Sequence, residues 1–267
     1  MFDHSTSDGV TSNDKGLAVG RLENLRRIVK DRRIVRVDEL TTELAVSVAT
    51  VRRDLATLES RGDLRRVHGG AVASETRLEE PLFDDKTTIA APEKRRIAER
   101  ALTLIRPRDS IFLDGGSTVL ALAALLHERS DITVVTNSLR VAAELAGGGP
   151  ALILVGGELR RLSQTFVGPL TRFTIGQIHV DRAFMGTIGL DSQSGLTTTD
   201  PREAFTKELI MQNAGEVILL ADGSKIGKTS FARFADLSTI HTLITDKRSP
   251  EPSIRALRKL GINVLTV

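Results

Sequence analysis

The sequence predicts an α/β protein in two parts, a small helical head followed by a larger open sheet of parallel strands. Three observations predict it. From Glu93 onward short apolar runs such as Ile-Thr-Val-Val and Val-Ile-Leu-Leu alternate with helical patterns. Nearly continuous apolar runs of that length mark parallel strands covered on both faces, and strand–helix alternation marks an open α/β sheet. Ahead of them, three short segments with helical apolar spacing lead into a glycine turn. Charge is also uneven along the 267 residues. Between Arg21 and Ala73 twelve Lys and Arg stand against eight Asp and Glu, a net +4, while the whole chain carries +3, so the remainder carries −1. Such asymmetry points to nucleic acid or another acidic partner. The resulting division is a disordered tail at 1–19, a head at 20–73, a linker at 74–92 and a sheet domain at 93–267.

Each element has a local reason. Residues 1–19 lack apolar periodicity. The first helix begins near Arg21, with Leu22, Leu25, Ile28 and Val29 on one face. Ile34 to Val37 is β-prone. Asp38 is placed to cap a second helix carrying Val37, Leu40 and Leu44. Ser47 caps a third, on which Val51, Leu55 and Leu58 form a stripe at i, i+4, i+7, and Gly62 ends it. Residues 64–67 and 71–73 read as a hairpin about His68, Gly69 and Gly70. The segment 74–92 is polar, with Pro81 and Pro92. Beyond it, strands are expected at 110–114, 132–136, 151–155, 182–187, 216–222, 241–245 and 262–267. Helices are expected at 93–105, 117–128, 138–146, 168–177, 200–213 and 251–260.

Composition excludes several classes of function. There is no Cys, hence no disulfide scaffold, cysteine-ligated metal or thiol nucleophile. There is no Trp or Tyr and only nine Phe, which disfavours base stacking on an aromatic sheet. The five His are scattered, and neither a metal nor a cofactor is expected. The longest apolar run, Val119 to Leu126, is far short of a membrane span, and the polar start lacks the apolar core of a signal peptide. A cytoplasmic protein without membrane association is expected.

Three short helices followed by a hairpin form the plan of a winged helix-turn-helix. With Val51, Leu55 and Leu58 facing inward, Arg53, Ala49, Ala56 and Ser60 point outward and Arg52 lies on the flank. Small residues let a helix sit deep in the major groove, and arginine bonds guanine bidentately. Ser47 and Thr50 can reach phosphates at the helix start, and Arg65, Arg66 and His68 on the hairpin suit contacts to the DNA backbone. On charge and periodicity alone, a solvated basic surface is an equal reading.

The stretch Ser47-Val48-Ala49-Thr50-Val51-Arg52-Arg53-Asp54-Leu55 resembles the recognition-helix signature of DeoR-type bacterial transcription regulators, S-x-x-T-[IV]-R-R-D-L. Leu58-Glu59-x-x-Gly62 and Val67-His68-Gly69-Gly70-Ala71 resemble the wing of that family. Val48-Ala49 departs from the acidic pair common there, and Asp63 from a common apolar residue. The resemblance implies operator contacts by Thr50, Arg52 and Arg53 and a structural role for Asp54.

The resemblance runs on from residue 20 through almost the whole chain. It implies that the second half folds like ribose-5-phosphate isomerase and related sugar-phosphate proteins and senses such a ligand. Five segments match. Asp114-Gly115-Gly116-Ser117-Thr118 is a strand, a glycine turn and a helix start, suited to a phosphate. Thr136-Asn137-Ser138 ends another strand, where α/β sheets bind ligands, although a helix cap explains Asn137 or Ser138 as well. Arg160, after Gly156-Gly157, faces either a phosphate or a carboxylate. Glu203 and Lys207, one turn apart behind an Asp200-Pro201 helix start, are a surface ion pair or, by resemblance, grips for sugar hydroxyls and phosphate. Asp222 and Lys225, in Ala-Asp-Gly-Ser-Lys, would line the same pocket. The run Asp222 to Thr229 imitates a P-loop but has Asp where the first Gly is required, and no dinucleotide fingerprint occurs.

Three functions compete for these residues. The first is a sequence-specific transcriptional regulator, a repressor, that binds double-stranded operator DNA as a homodimer or homotetramer and is modulated by a small phosphorylated sugar. Coupling between its halves is sought in the linker. The second is a sugar-phosphate isomerase with an accessory DNA-binding head, using Glu203, Asp114 or Asp222 as general base. The third uses the head for protein association alone. No catalytic residue is expected under the first.

Overall fold

The computed structural model describes residues 11–32, 34–60, 64–67, 69–73, 80 and 83–267. They form two compact units, Met1–Thr76 and Arg77–Val267.

The first unit runs α1 (Thr11–Arg32), β1 (Ile34–Arg36), α2 (Val37–Leu44), α3 (Val48–Ser60), β2 (Leu64–Val67) and β3 (Gly70–Ala73). Leu25 and Val29 of α1, Leu40 of α2, and Val51, Leu55 and Leu58 of α3 close on Val35, Leu64 and Ala71. The strands form an antiparallel sheet in the order β1-β3-β2. Gly70 is required there, because a Cβ would collide with the Val35 carbonyl across the sheet. At the start of α3 the Ser47 hydroxyl accepts the Thr50 N–H at 3.2 Å. The second helix begins two residues earlier than a cap at Asp38 implies, with Arg36 as its N-cap. Asp38 lies inside its first turn, and the Glu39 carboxylate turns back to accept the Arg36 N–H. α1 begins at Thr11, inside the segment expected to be a tail to residue 19. Once the packed turns around Leu25 nucleate a helix, extending it costs far less than starting one, so apolar periodicity is not needed upstream. Gly62 lies outside the described residues.

The second unit opens with α4 (Phe83–Thr88), α5 (Ala91–Leu102), β4 (Ser110–Leu113), α6 (Ser117–Ala123), β5 (Thr133–Thr136), α7 (Leu139–Leu145), β6 (Ala151–Leu154), β7 (Glu158–Arg160) and β8 (Thr165–Val167). It continues with α8 (Arg172–Ile175), β9 (Val180–Met185), β10 (Gly189–Asp191), β11 (Gly195–Thr198), α9 (Pro201–Gln212), β12 (Ala214–Leu220), β13 (Ala232–Ala235), β14 (Thr242–Thr245), α10 (Glu251–Lys259) and β15 (Asn263–Thr266). Seven of these strands form one parallel sheet, β15-β14-β12-β9-β4-β5-β6. All seven coincide with the apolar runs read from the sequence. One face packs Ile111, Leu113, Val134, Ile218 and Ile244 against Ile97 of α5, Leu122 of α6 and Val141 of α7. The other packs Phe112, Met185, Leu219 and Leu243 against Ile210 of α9 and Leu257 of α10. The hairpin β7–β8 and the antiparallel trio β10-β11-β13 lie outside that sheet. Their three- and four-residue strands carry too little alternation to be read from sequence.

Chain order fixes where a ligand fits. The chain runs outward from β4 to β5 and β6, then returns to the other side of β4 as β9 and continues to β12, β14 and β15. The reversal opens a crevice at the carboxyl ends of β4 and β9, the usual ligand position in an open α/β sheet. The expected linker 74–92 contains helix. Residues 83–88 form α4, with Phe83 buried, and α5 starts at Ala91 behind Ala90 in the left-handed region at φ 55°. Polar composition hid this helix, whose Lys86 pairs with Glu80 while Asp85, Thr87 and Thr88 are exposed.

Leu55→Ala in the first unit should cost about 2–5 kcal/mol, the range for deleting a buried leucine. Urea unfolding followed by far-ultraviolet circular dichroism checks this, since the chain has neither Trp nor Tyr for fluorescence. A change below about 0.5 kcal/mol would contradict the assigned core.

Candidate functional site

In the first unit the outward side of α3 is basic and otherwise small. Arg52, Arg53 and Ala49 are exposed while Val51, Leu55 and Leu58 are buried. Among the described residues no ion pair engages Arg52 or Arg53, and both guanidinium groups face solvent. Ser47 and Thr50 share a hydroxyl–hydroxyl hydrogen bond of 2.9 Å at the helix start. Asp54 is buried and accepts the Arg21 Nε at 2.6 Å, tying α3 to α1. Arg66 is not free: its Nε and its backbone N–H both reach the Glu59 carboxylate, at 2.7 and 2.9 Å. Those two contacts also hold the Glu59 carboxyl below its usual range. The side chains of Arg65 and Ser60, and all of His68, lie outside the described residues.

In the second unit a cavity occupies the crevice. Gly115, Gly116, Ser117 and Thr118 border it after β4, Gly186 and Thr187 after β9, and Asp222 and Lys225 after β12. Glu203 and Lys207 reach it from α9, and Glu80, Lys86 and Lys94 from the segment around α4 and α5. Gly115 allows close packing beneath, where a Cβ would meet the Thr165 methyl.

A chain of buried charges lies along this wall. The Lys207 ammonium bonds the Asp114 carboxylate, donates to the Gly186 carbonyl at 3.1 Å and lies 3.9 Å from Glu203. Asp114 also accepts the Gly186 N–H at 2.9 Å, so β4, β9 and α9 are joined at one point. Glu203 accepts the Thr198 hydroxyl at 2.9 Å and lies 3.6 Å from Arg160. Arg160 continues to Glu80 at 2.8 Å and Asp200 at 3.3 Å, and donates to the Thr199 hydroxyl. Glu80 in turn holds Lys86 and the Thr199 hydroxyl, both at 2.6 Å.

Burial and pairing act on these groups in opposite directions. Burial pushes the Glu203 carboxyl up, and Lys207 and Arg160 only partly offset it against the nearby Glu80 and Asp114. Burial alone would lower the Lys207 ammonium, but Asp114 and Glu203 outweigh it and hold the group charged. Glu80 is also penalised by burial, yet Lys86, Thr199 and Arg160 bring it below the usual carboxylate range. Lys94 differs from all of these. Its ammonium donates to two backbone carbonyls, of Lys86 at 2.5 Å and Ile89 at 2.7 Å. Burial brings it down to about 8, Asp222 opposes that shift, and Lys225 and Lys86 add to it.

The structure thus brings together Gly115, Gly116, Ser117, Thr118, Glu203, Lys207, Asp222 and Lys225 of the residues read from sequence. It separates others from the cavity. The Thr136 hydroxyl donates to the Leu113 carbonyl, Asn137 donates to Phe166, and Ser138 caps α7 by accepting the Val141 N–H. Of the two partners considered for Arg160, it has the carboxylates. Glu203 and Lys207 are no surface pair, since both are buried. Lys207 already bonds Asp114 and the Gly186 carbonyl, so much of its charge and donor capacity is spent within the protein. Asp114 lies beneath the cavity lining. Asp222 accepts the Ser224 N–H at 3.0 Å in a single 3₁₀ turn, with no P-loop helix after it. Sequence reading missed Glu80, Lys86 and Lys94. The only available signal was the charge of a segment whose pattern read as a linker.

Comparison with known proteins agrees in both units. Residues 21–77 match the DeoR-like helix-turn-helix domain and residues 89–247 the DeoR C terminal sensor domain. An HTH-type transcriptional regulator, GlpR, of Haloferax volcanii is 36% identical over 93% of this chain and 98% of its own length. A lactose phosphotransferase system repressor of Staphylococcus epidermidis is 36% identical over 86% of this chain and 93% of its own. A solved D-ribose-5-phosphate isomerase in complex with phospho-erythronic acid aligns with 51% of this chain and 54% of its own, at 22% identity and a TM-score of 0.39.

Lys207→Met should destabilise the second unit by about 3–5 kcal/mol, because Asp114 is left buried without its cation. The loss should shrink in acid, as protonation removes the stranded carboxylate charge. Urea midpoints of the variant and the parent across pH 4–8 check this; a loss that stays constant over that range would contradict the buried pair.

Proposed function

The chain belongs to the DeoR family of DNA-binding transcriptional regulators, and from that premise we propose that it is a repressor whose α/β half binds a phosphorylated sugar and thereby changes operator binding by the head. The observation that carries the sensing half is the cavity at the sheet reversal, bordered by Lys86, Lys94 and Lys225 together with the hydroxyls of Ser117 and Thr118. Ammonium and hydroxyl donors suit a phosphate, and the carboxylates Glu80, Glu203 and Asp222 on the same wall suit sugar hydroxyls. The name of the Staphylococcus relative, a lactose phosphotransferase system repressor, supports a carbohydrate ligand.

On the DNA side, Arg52 and Arg53 are assigned to operator contact, with Ser47 and Thr50 on phosphates and Arg65 and His68 on the wing as further contacts. Arg66 joins them only by leaving Glu59. Two heads are needed to read a two-fold operator, so the working form is a homodimer or homotetramer in the cytoplasm. No helix among the described residues is long and apolar enough to cross a membrane. The isomerase reading is weaker. Asp114 is pinned under Lys207 and has no approach to a substrate carbon, and a basic recognition helix has no use in such an enzyme.

Arg52→Ala and Arg53→Ala should each weaken binding to the chain's own promoter fragment by about 1–3 kcal/mol, with oligomeric state unchanged. A panel of sugar phosphates, each beside its unphosphorylated parent, should shift promoter binding only in phosphorylated form. Electrophoretic mobility shift or fluorescence anisotropy reads both. Undiminished DNA binding in the double variant would refute the interface, and a panel with no active member would refute the sensing role.

A further inference from the structure

Two of the lysines bordering the cavity also fasten the segment that leads to it from the head. Lys86 lies on α4 and bonds Glu80, the first described residue of the second unit, at 2.6 Å. Lys94 on α5 donates to the carbonyls of Lys86 and Ile89, near the end of α4 where helix carbonyls lack partners. Lys94 therefore holds α4 against α5, and Lys86 ties α4 to Glu80, which Arg160 and the Thr199 hydroxyl fix to the sheet domain. α4 has six residues and cannot persist as an isolated helix, so it depends on such fastenings.

We propose that the anionic group of the effector binds Lys86 and Lys94 in competition with Glu80 and the α4 carbonyls, so that filling the cavity loosens residues 83–89. The proposal rests on the sugar-phosphate reading above and adds to it the site of the anion and the direction of the change. An ammonium has three donor hydrogens, and Lys94 spends two on neutral carbonyls, so a phosphate that takes more than the third draws Lys94 off them. A phosphate oxygen is the stronger acceptor, because the bond is charge-assisted on both sides. Lys86 faces the same choice between Glu80 and the ligand. Glu80 does not become stranded when Lys86 turns away, because Arg160 and the Thr199 hydroxyl still hold it. The exchange is then balanced enough for a ligand to tip it, which a change driven by differential binding requires.

Lys94 supplies a second signature. The charged groups facing it are Asp222 and Lys225, after β12, and Lys86 on α4, while α6 offers no titratable side chain. With its ammonium down at about 8, the free protein loses this charge as pH rises past 8. Affinity for a phosphate should fall over that range.

Hydrogen–deuterium exchange on the full chain, with inorganic phosphate as probe and sugar phosphates as second ligands, tests the proposal. Calorimetry measures binding in parallel. Binding accompanied by faster exchange of the Ile89 and Lys94 amides, with sheet amides unchanged, is the expected result. Binding with exchange there unchanged or slowed overturns the proposal and leaves the sugar-phosphate reading intact. Absence of binding by every probe overturns both. Glu80→Gln should bind phosphate about tenfold more tightly, since Lys86 loses its charged competitor; a purely structural Glu80 would give equal or weaker binding. Lys94→Arg should bind but lose the decline above pH 8, because arginine stays charged. A decline that persists in that variant counts against Lys94.

Discussion

A lysine buried between two carboxylates holds the second unit together where its sheet reverses direction. Lys207 on α9 meets Asp114 at the end of β4, reaches the Gly186 carbonyl after β9 and approaches Glu203 one turn back on its own helix. Backbone hydrogen bonds pair β4 with β9 as far as Leu113 and Phe184, and the charge cluster ties together the turns that follow, beside glycines that let backbone and ligand approach. Burying such a cluster is expensive unless every member is paired, and this one is paired in series from Asp114 through Glu203 and Arg160 to Glu80 and Lys86. The reversal of strand order opens the crevice, and that series forms part of its wall.

The sequence made the fold legible to different depths in the two units. The central sheet strands announced themselves as apolar runs because both faces of the sheet are covered there, and the edge strand β6 is an equally apolar run although Ile153 and Leu154 are exposed. The head announced itself through the stripe of Val51, Leu55 and Leu58 and through the cap at Ser47. The hairpin β7–β8 and α4 escaped because short elements are held by partners distant in sequence, which no local window contains. Phe83, for instance, is buried although Glu79, Glu80, Asp84 and Asp85 stand close to it in sequence.

The site was legible by type and less so by role. Turn and strand-end residues such as Gly115, Ser117, Asp222 and Lys225 were found because topology places strand ends at the crevice. Thr136, Asn137 and Ser138 end a strand equally well, yet the Thr136 hydroxyl, the Asn137 amide N–H and the Ser138 hydroxyl bond the backbone of Leu113, Phe166 and Val141. Lys207 shows the opposite case. A lysine at helical spacing from a glutamate reads as surface or ligand-facing, and only burial reveals that Asp114 has already claimed it. Lys94 could not be ranked above any other lysine, because what distinguishes it is the lack of a carboxylate partner in a buried place.

The separation between the residues that build the crevice and those that border it has an evolutionary consequence. Asp114, Lys207 and the Gly186 carbonyl carry the architecture by bonding one another, while Thr118, Thr187, Asp222 and Lys225 border the cavity without a part in that bonding. Substitutions among the second group alter shape and charge without unpairing the first. A gene duplicate could therefore drift from one metabolite to another by single steps, each leaving a folded and DNA-competent protein for selection to act on.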